Sequence, residues 1–184
     1  FTPFISWDFQ TKLFKYNYLL KQFRYATGDN AFKKGLSEIR SLYRFGNPPA
    51  AECIHLFERA SGLELDWLWE QYSNARTQVD YAIGPVKTGD AGGTLLTLHR
   101  LKGAVLPVVL EITYTDDKIE RYYIPVELLR AGLPSGSTAV QAPVWPSGAE
   151  KYTLSLGAQP IKSIRIDPDL LSGDVDTDNN RKDF

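Results

Sequence analysis

Hydrophobic spacing divides the chain into two regimes that meet near residue 80. Upstream, apolar residues recur every three or four positions, the period of one helix face. Leu13, Tyr16, Leu20 and Phe23 form one such set and predict a long helix over 4–26. Gly28-Asp29-Asn30 breaks it, and Asp29 or Asn30 can cap a second helix carrying Phe32, Leu36, Ile39 and Tyr43. Gly46-Asn47-Pro48 ends that helix. Pro49 suits the first turn of a third, where a missing N–H costs nothing. Ile54, Phe57 and Ala60 give the third helix its buried face, and Ser61-Gly62 its stop. Leu65, Leu68 and Tyr72 stripe a short fourth helix.

Downstream the period drops to two. Short alternating runs at 79–86, 94–101, 108–115, 119–126, 138–144, 152–156 and 161–166 read as strands between turn residues. Asp116-Asp117 marks a tight hairpin between the third and fourth. The expected fold class is α+β. A helical bundle over 1–78 is followed by an antiparallel β-sandwich of immunoglobulin-like type over 79–167. A polar, loosely ordered tail over 168–184 completes the chain.

Composition narrows the function classes. The chain has 184 residues, 43% hydrophobic and 23% charged, with a net charge of −1, so no charge excess draws it to nucleic acid or an anionic membrane. No apolar run reaches the ~20 residues that a membrane-spanning helix needs. The single cysteine, Cys53, excludes an internal disulfide. Methionine is absent even from position 1, which leads to the expectation of a piece of a longer polypeptide. A signal peptide is not visible, but on that expectation its absence carries no information. Extracytoplasmic and cytoplasmic locations both stay open.

Candidate chemistry is sparse. A zinc hydrolase uses about three protein ligands and an open position. The two histidines, His55 and His99, fall on different elements, and neither sits in His-Glu-x-x-His. His55 is expected on the flank of the third helix, and His99 on the outer face of a strand. Cys53 lies near a helix start, where the dipole can lower a thiol pKa, but a half-buried structural role is preferred. No Gly-x-Ser-x-Gly elbow or Walker loop is present. Gly89 to Gly93 reads as a hairpin loop. Asp174, Asp176 and Asp178 alternate as in the first half of a calcium loop. The expected glycine is Asn179, and the closing glutamate is missing, so a solvated tail is preferred. Trp67 and Trp69, two apart on a helix, point about 200° apart and cannot form one flat sugar platform. They are expected to pack to either side of the helix. Trp145, between Pro143 and Pro146, is expected to anchor a loop.

The run F-G-N-P-P-A-A-E-C-I-H-L-F-E-R-A-S-G-L-E-L-D-W-L-W-E-Q-Y, from Phe45 to Tyr72, resembles the end of the helical region in the gluzincin aminopeptidases. These are the zinc peptidases related to membrane alanyl aminopeptidase. Further segments follow in the same order. Phe23-Arg24-Tyr25 with Gly28-Asp29 and Phe32 is similar to the family's Leu-Arg-x-x-x-Gly-x-x-x-Phe stretch. Tyr43-Arg44-Phe45-Gly46-Asn47 resembles its helix end before a Thr or Pro turn. Ser61-Gly62 with Leu65-Asp66-Trp67 resembles Ser-Gly-x-x-Leu-x-x-Phe-Phe. Glu70-Gln71-Tyr72 stands where the family often has Gln-Trp. Ile164-Arg165-Ile166-Asp167-Pro168 resembles the Val-x-x-Asp-Pro close of several bacterial members.

The resemblance implies the last helices of a thermolysin-like catalytic domain followed by a β-sandwich. The zinc ligands would lie before Phe1, so no cofactor is expected in this chain and zinc is expected in the longer polypeptide. Its partners would be the upstream domains, and peptide substrates for the whole protein. No nucleic acid and no membrane span are expected in this chain. One departure stands out. The family's Tyr-x-Lys-Gly tyrosine, which stabilises an oxyanion, falls at Leu13, with Lys15 kept and Tyr16 in the glycine position. Either a three-residue slip lets Tyr16 serve, or the group is lost. Two functions follow: a non-catalytic C-terminal part of a zinc aminopeptidase-like protein, or the scaffold of a catalytically degenerate relative.

Overall fold

The computed structural model describes residues 7–73, 77–89, 92–129 and 137–184; the side chains of 7–16, Tyr72 and Ser73 lie outside that description. Among the described residues, four α-helices precede eight strands. The helices are α1 (Trp7–Thr27), α2 (Asp29–Leu42), α3 (Ala50–Ser61) and α4 (Asp66–Ser73). Glycine sets two of their boundaries. Gly28, at φ 78°, donates its N–H to Arg24 O (2.9 Å) and accepts from Phe32 N (3.0 Å), ending α1 and starting α2. Asp29 and Asn30, expected as caps, lie instead inside the first turn of α2. Gly62, left-handed at φ 74°, closes α3 by donating to Glu58 O at 2.7 Å.

The strands are β1 (Tyr81–Thr88), β2 (Thr94–Arg100), β3 (Val108–Tyr114), β4 (Ile119–Ile124), β5 (Val140–Gln141), β6 (Lys151–Leu156), β7 (Ile161–Ile166) and β8 (Arg181–Asp183). They form a three-stranded sheet in the order β1-β2-β6 and a five-stranded sheet in the order β5-β4-β3-β7-β8. The class is therefore α+β. The hairpin between β3 and β4 turns at Asp117, which adopts φ 62° while its N–H donates to Tyr114 O at 3.0 Å. In β1, Gly84-Pro85 falls where the register slips, and β1 is an edge strand, where proline loses no ladder bond.

Three further expectations need correction. The sheets are not wholly antiparallel, because β5 runs parallel to β4. The expected strand over 138–144 shrinks to two residues, since Pro143 and Pro146 cannot donate to a ladder. The stretch 168–184 is also not a loose tail. It holds a 3-10 turn (Thr177–Asn180) and β8, which pairs antiparallel with β7 and extends the second sheet.

Alternation does the rest. Every second residue of β3 and β6 is buried, which turns one face of each sheet to a shared core. Leu96, Leu98, Leu154 and Leu156 meet Leu110, Ile112, Ile164 and Ile166 in that core. Trp145, 1% exposed, packs edge-on against Tyr81 and stacks on Tyr152. Its Nε1 donates to Ala149 O at 2.8 Å, so the indole anchors its own loop. The same core takes in Leu19, Phe23, Tyr25 and Ala26 of α1, and Leu63, Leu65 and Leu68 around α4.

Candidate functional site

The helices meet the sheets through polar anchors set in apolar surroundings. Tyr25, buried in α1, accepts a hydrogen bond from Val109 N of β3 at 2.9 Å. Tyr18 donates to Gly173 O (3.1 Å), and Gln22 Nε2 donates to Ser172 O (3.2 Å). On α4, Gln71 donates from Nε2 to Val105 O (3.0 Å) and accepts from Val105 N at Oε1 (2.6 Å). One carboxamide thus copies the pairing of a β-bridge. Asp167 shapes the segment that α1 rests on. It is buried at φ 46°, and its carboxylate accepts from Leu171 N (3.0 Å) and Ser172 N (2.7 Å). Burial drives the Tyr25 hydroxyl well above the usual phenol range, so it stays protonated.

A cleft of about 620 Å³ opens beside this junction. Arg24, Tyr25 and Asp29 line it from the helical side, Arg121 and Tyr123 from β4, and Asp169 from the segment after β7. Its charges close on one another. Arg24 pairs with Asp29 (2.5 Å), and Arg121 pairs with both Glu111 (2.9 Å) and Asp169 (3.1 Å). The Arg24 guanidinium holds the Asp29 carboxyl below its ordinary range. Tyr123 is 2% exposed, and its hydroxyl has no partner among the described residues. Burial raises its pKa.

The residues singled out by sequence are dispersed. Leu13 and Tyr16 fall on α1, and their side chains lie outside the described residues. His55 is exposed on α3 and meets Glu58 at 3.0 Å, which raises its pKa above the ordinary imidazole value. His99, on β2, lies over Gly84 of β1, where a side-chain carbon would collide with the imidazole. Cys53 is half-buried on α3, and burial raises its pKa, which favours the thiol over the nucleophilic thiolate. Trp67 and Trp69 are both partly buried against the core, and Trp67 Nε1 donates to Glu64 O at 2.7 Å. Among the described residues, no three His, Cys, Asp or Glu side chains come together in a metal-binding group. These residues do not fit a zinc site. Nor, among them, is any helix long and apolar enough to cross a membrane.

A second polar locus joins parts far apart in the chain, of which the sequence marked only the side that holds Asp174 and Asn179. Asn179 Nδ2 donates to Asp80 Oδ1 (3.1 Å), and Tyr81 N donates to Asp174 Oδ2 (2.9 Å). Asp80, just before β1, is the buried carboxylate of the set. Gln71 and Asp167 did stand in segments noted for resemblance, yet nothing local announced their bonding. A scan against protein-family models returns no match for this chain, and a search of curated proteins returns none.

Proposed function

We propose that this chain is the non-catalytic C-terminal part of a zinc aminopeptidase-like protein. In that role its helices complete a thermolysin-like catalytic domain, and its two sheets form an immunoglobulin-like sandwich that braces the domain. The whole protein would release N-terminal residues from peptides, with zinc held by residues upstream of Phe1. The observation that carries the reading is the junction. Tyr18, Gln22, Tyr25 and Gln71 fix the helices to the β region through side-chain to main-chain bonds over one continuous core. A brace must transmit position without yielding, and such bonds across a packed core do that. The ordered run of sequence resemblances, from Phe23 to Pro168, supplies the family.

A second reading has one specific residue in its favour. Leu13 stands where the resemblance asks for a hydrogen-bonding tyrosine, and a leucine cannot stabilise an oxyanion. On that reading the longer polypeptide is a scaffold without turnover. Hydrolysis of a panel of aminoacyl-anilides by the full-length polypeptide, with and without a zinc chelator, separates the two. Chelator-sensitive turnover supports the aminopeptidase; a folded, zinc-loaded protein without turnover supports the scaffold. Stoichiometric zinc in the purified 184-residue chain would contradict both.

A further inference from the structure

In the sheet β1-β2-β6, strand β6 stands at an edge. Its neighbour β2 reveals which way its main-chain groups point. Arg100 N donates to Glu150 O (2.8 Å) and Thr94 N to Gly157 O (3.3 Å), both on the β6 side. Leu101 N donates to Asp80 O (2.7 Å), on the β1 side. Even-numbered residues of β2 therefore address β6 and odd-numbered ones β1, since strand residues alternate in the side they bond to. The β2–β6 register runs unbroken from Thr94↔Leu156 to His99↔Lys151 and sets even residues against even. Tyr152, Leu154 and Leu156 thus bond to β2. The N–H and C=O groups of Lys151, Thr153 and Ser155 point away from the sheet, and among the described residues no main-chain group meets them.

The other strand edges are guarded. Strand β1 carries Pro85 at a register slip, and Asp174 Oδ2 takes the Tyr81 N–H at 2.9 Å. Strand β5 is two residues long, with Pro143 close behind. Strand β8 is Arg181, Lys182 and Asp183, all charged. Proline, shortness, charge and cover are the means by which a sheet edge avoids pairing with another molecule. Strand β6 uses none of them along K-Y-T-L-S-L, where the one charge is Lys151 at the start. Its burial alternates without a break: Tyr152, Leu154 and Leu156 face the core, and Lys151, Thr153 and Ser155 are exposed.

We propose that β6 is a dimerisation edge, pairing antiparallel with β6 of a second copy of this chain about a two-fold axis at Thr153. A second copy is the occupant because the edge is complementary to itself. Lys151, Thr153 and Ser155 are spaced symmetrically about Thr153, so every outward group finds an outward partner. Thr153 exchanges both main-chain bonds with Thr153 of the partner subunit. Lys151 does so with Ser155 of the partner subunit. Side chains then agree on both faces: Thr beside Thr and Lys beside Ser outside, Tyr152 beside Leu154 of the partner subunit inside. The two lysines lie about 14 Å apart along the strands, beyond the screening length of about 8 Å at physiological salt.

The two three-stranded sheets become one continuous sheet. The contact is isologous and consumes the open edge, so assembly closes at two copies. An interface of one strand pair is small, which makes the association weak, with Kd of about 0.1 mM. This inference does not depend on the aminopeptidase reading.

Sedimentation equilibrium of the 184-residue chain from about 0.01 to 1 mM tests it. The expected result is monomer at the low end and dimer at the high end. Amides of Lys151, Thr153 and Ser155 should exchange more slowly as concentration rises. Thr153→Pro removes an outward N–H without touching the bonds to β2 and should abolish the dimer. Thr153→Lys and Thr153→Glu each set like charges across the axis and should weaken it about fivefold or more, while an equimolar mixture of the two restores it. A chain that stays monomeric throughout overturns the proposal, whether or not the variants fold, and leaves the edge to a different strand. So does growth beyond two copies, or a Lys–Glu mixture that associates no better than either variant alone.

Discussion

The four helices work as two unlike pairs. Helices α1 and α4 hold the sheets by hydrogen bonds to main-chain atoms of Val109, Gly173, Ser172 and Val105. Helices α2 and α3 hold mainly each other and α1. Phe57 of α3 stacks on Phe32 of α2 and on Phe23 of α1, both at 5.3 Å between ring centres. Gly35 makes room for the Phe57 ring, since a side-chain carbon there would lie 2.5 Å from it. An exposed Arg59–Glu38 pair closes the outer edge. At the far end, Phe45 stands 95% exposed in the turn between them. The inner pair is thus part of the β structure, and the outer pair reaches it through aromatic contact with α1. A helical region arranged this way cannot move as a separate body without breaking the core it shares.

The largest blow to both pairs should come from the β side. Trp145→Ala removes a fully buried indole and should cost about 3–5 kcal/mol. That lowers the melting temperature by roughly 6–20 °C for a chain of this size. Helical and β signals should fall together; a fall in only one would break the comparison.

The inner anchors come next. Gln71→Ala leaves both main-chain groups of Val105 without their partners, and Tyr25→Phe does the same to Val109 N–H. Each should cost about 1–3 kcal/mol, read from chemical denaturation. The outer pair supplies the contrast. Arg59→Ala breaks an exposed ion pair and should change stability by no more than about 0.5–1 kcal/mol. A larger loss there than at Gln71 would invert the ranking.

The smallest effect is a titration. Glu58 raises the His55 pKa, so the charged imidazole is favoured in the folded chain. Its contribution is complete below the unfolded histidine value, about 6.5, and disappears as pH rises through the higher folded value. NMR titration of the His55 ring should give a midpoint above 6.5, and Glu58→Gln should bring it down.

Most elements were legible because their punctuation is local. Gly28, Gly62 and Pro49 mark helix ends by their own backbone preferences, and alternation in 108–114 shows a half-buried strand. What escaped is long-range. The three residues of β8, Arg181–Asp183, carry no apolar alternation and become a strand only because β7 offers an open edge. The parallel placement of β5 depends on where its loop is held, not on its two residues. Of the candidate sites, Asp80 falls inside the expected 79–86 strand, and its partner Asn179 lies 99 residues away. The charge pairing inside the cleft likewise joins Arg121 to Asp169, 48 residues apart.

The central claim is that helices and sheets form one cooperative block. Native-state hydrogen exchange on the 184-residue chain tests it most directly, comparing buried amides of α1 and α3 with those of β3 and β7. The account predicts that the slowest amides of all four elements open with the same free energy and respond equally to denaturant. Slow exchange in β3 and β7 alongside independent, low-energy opening of α1 would contradict it.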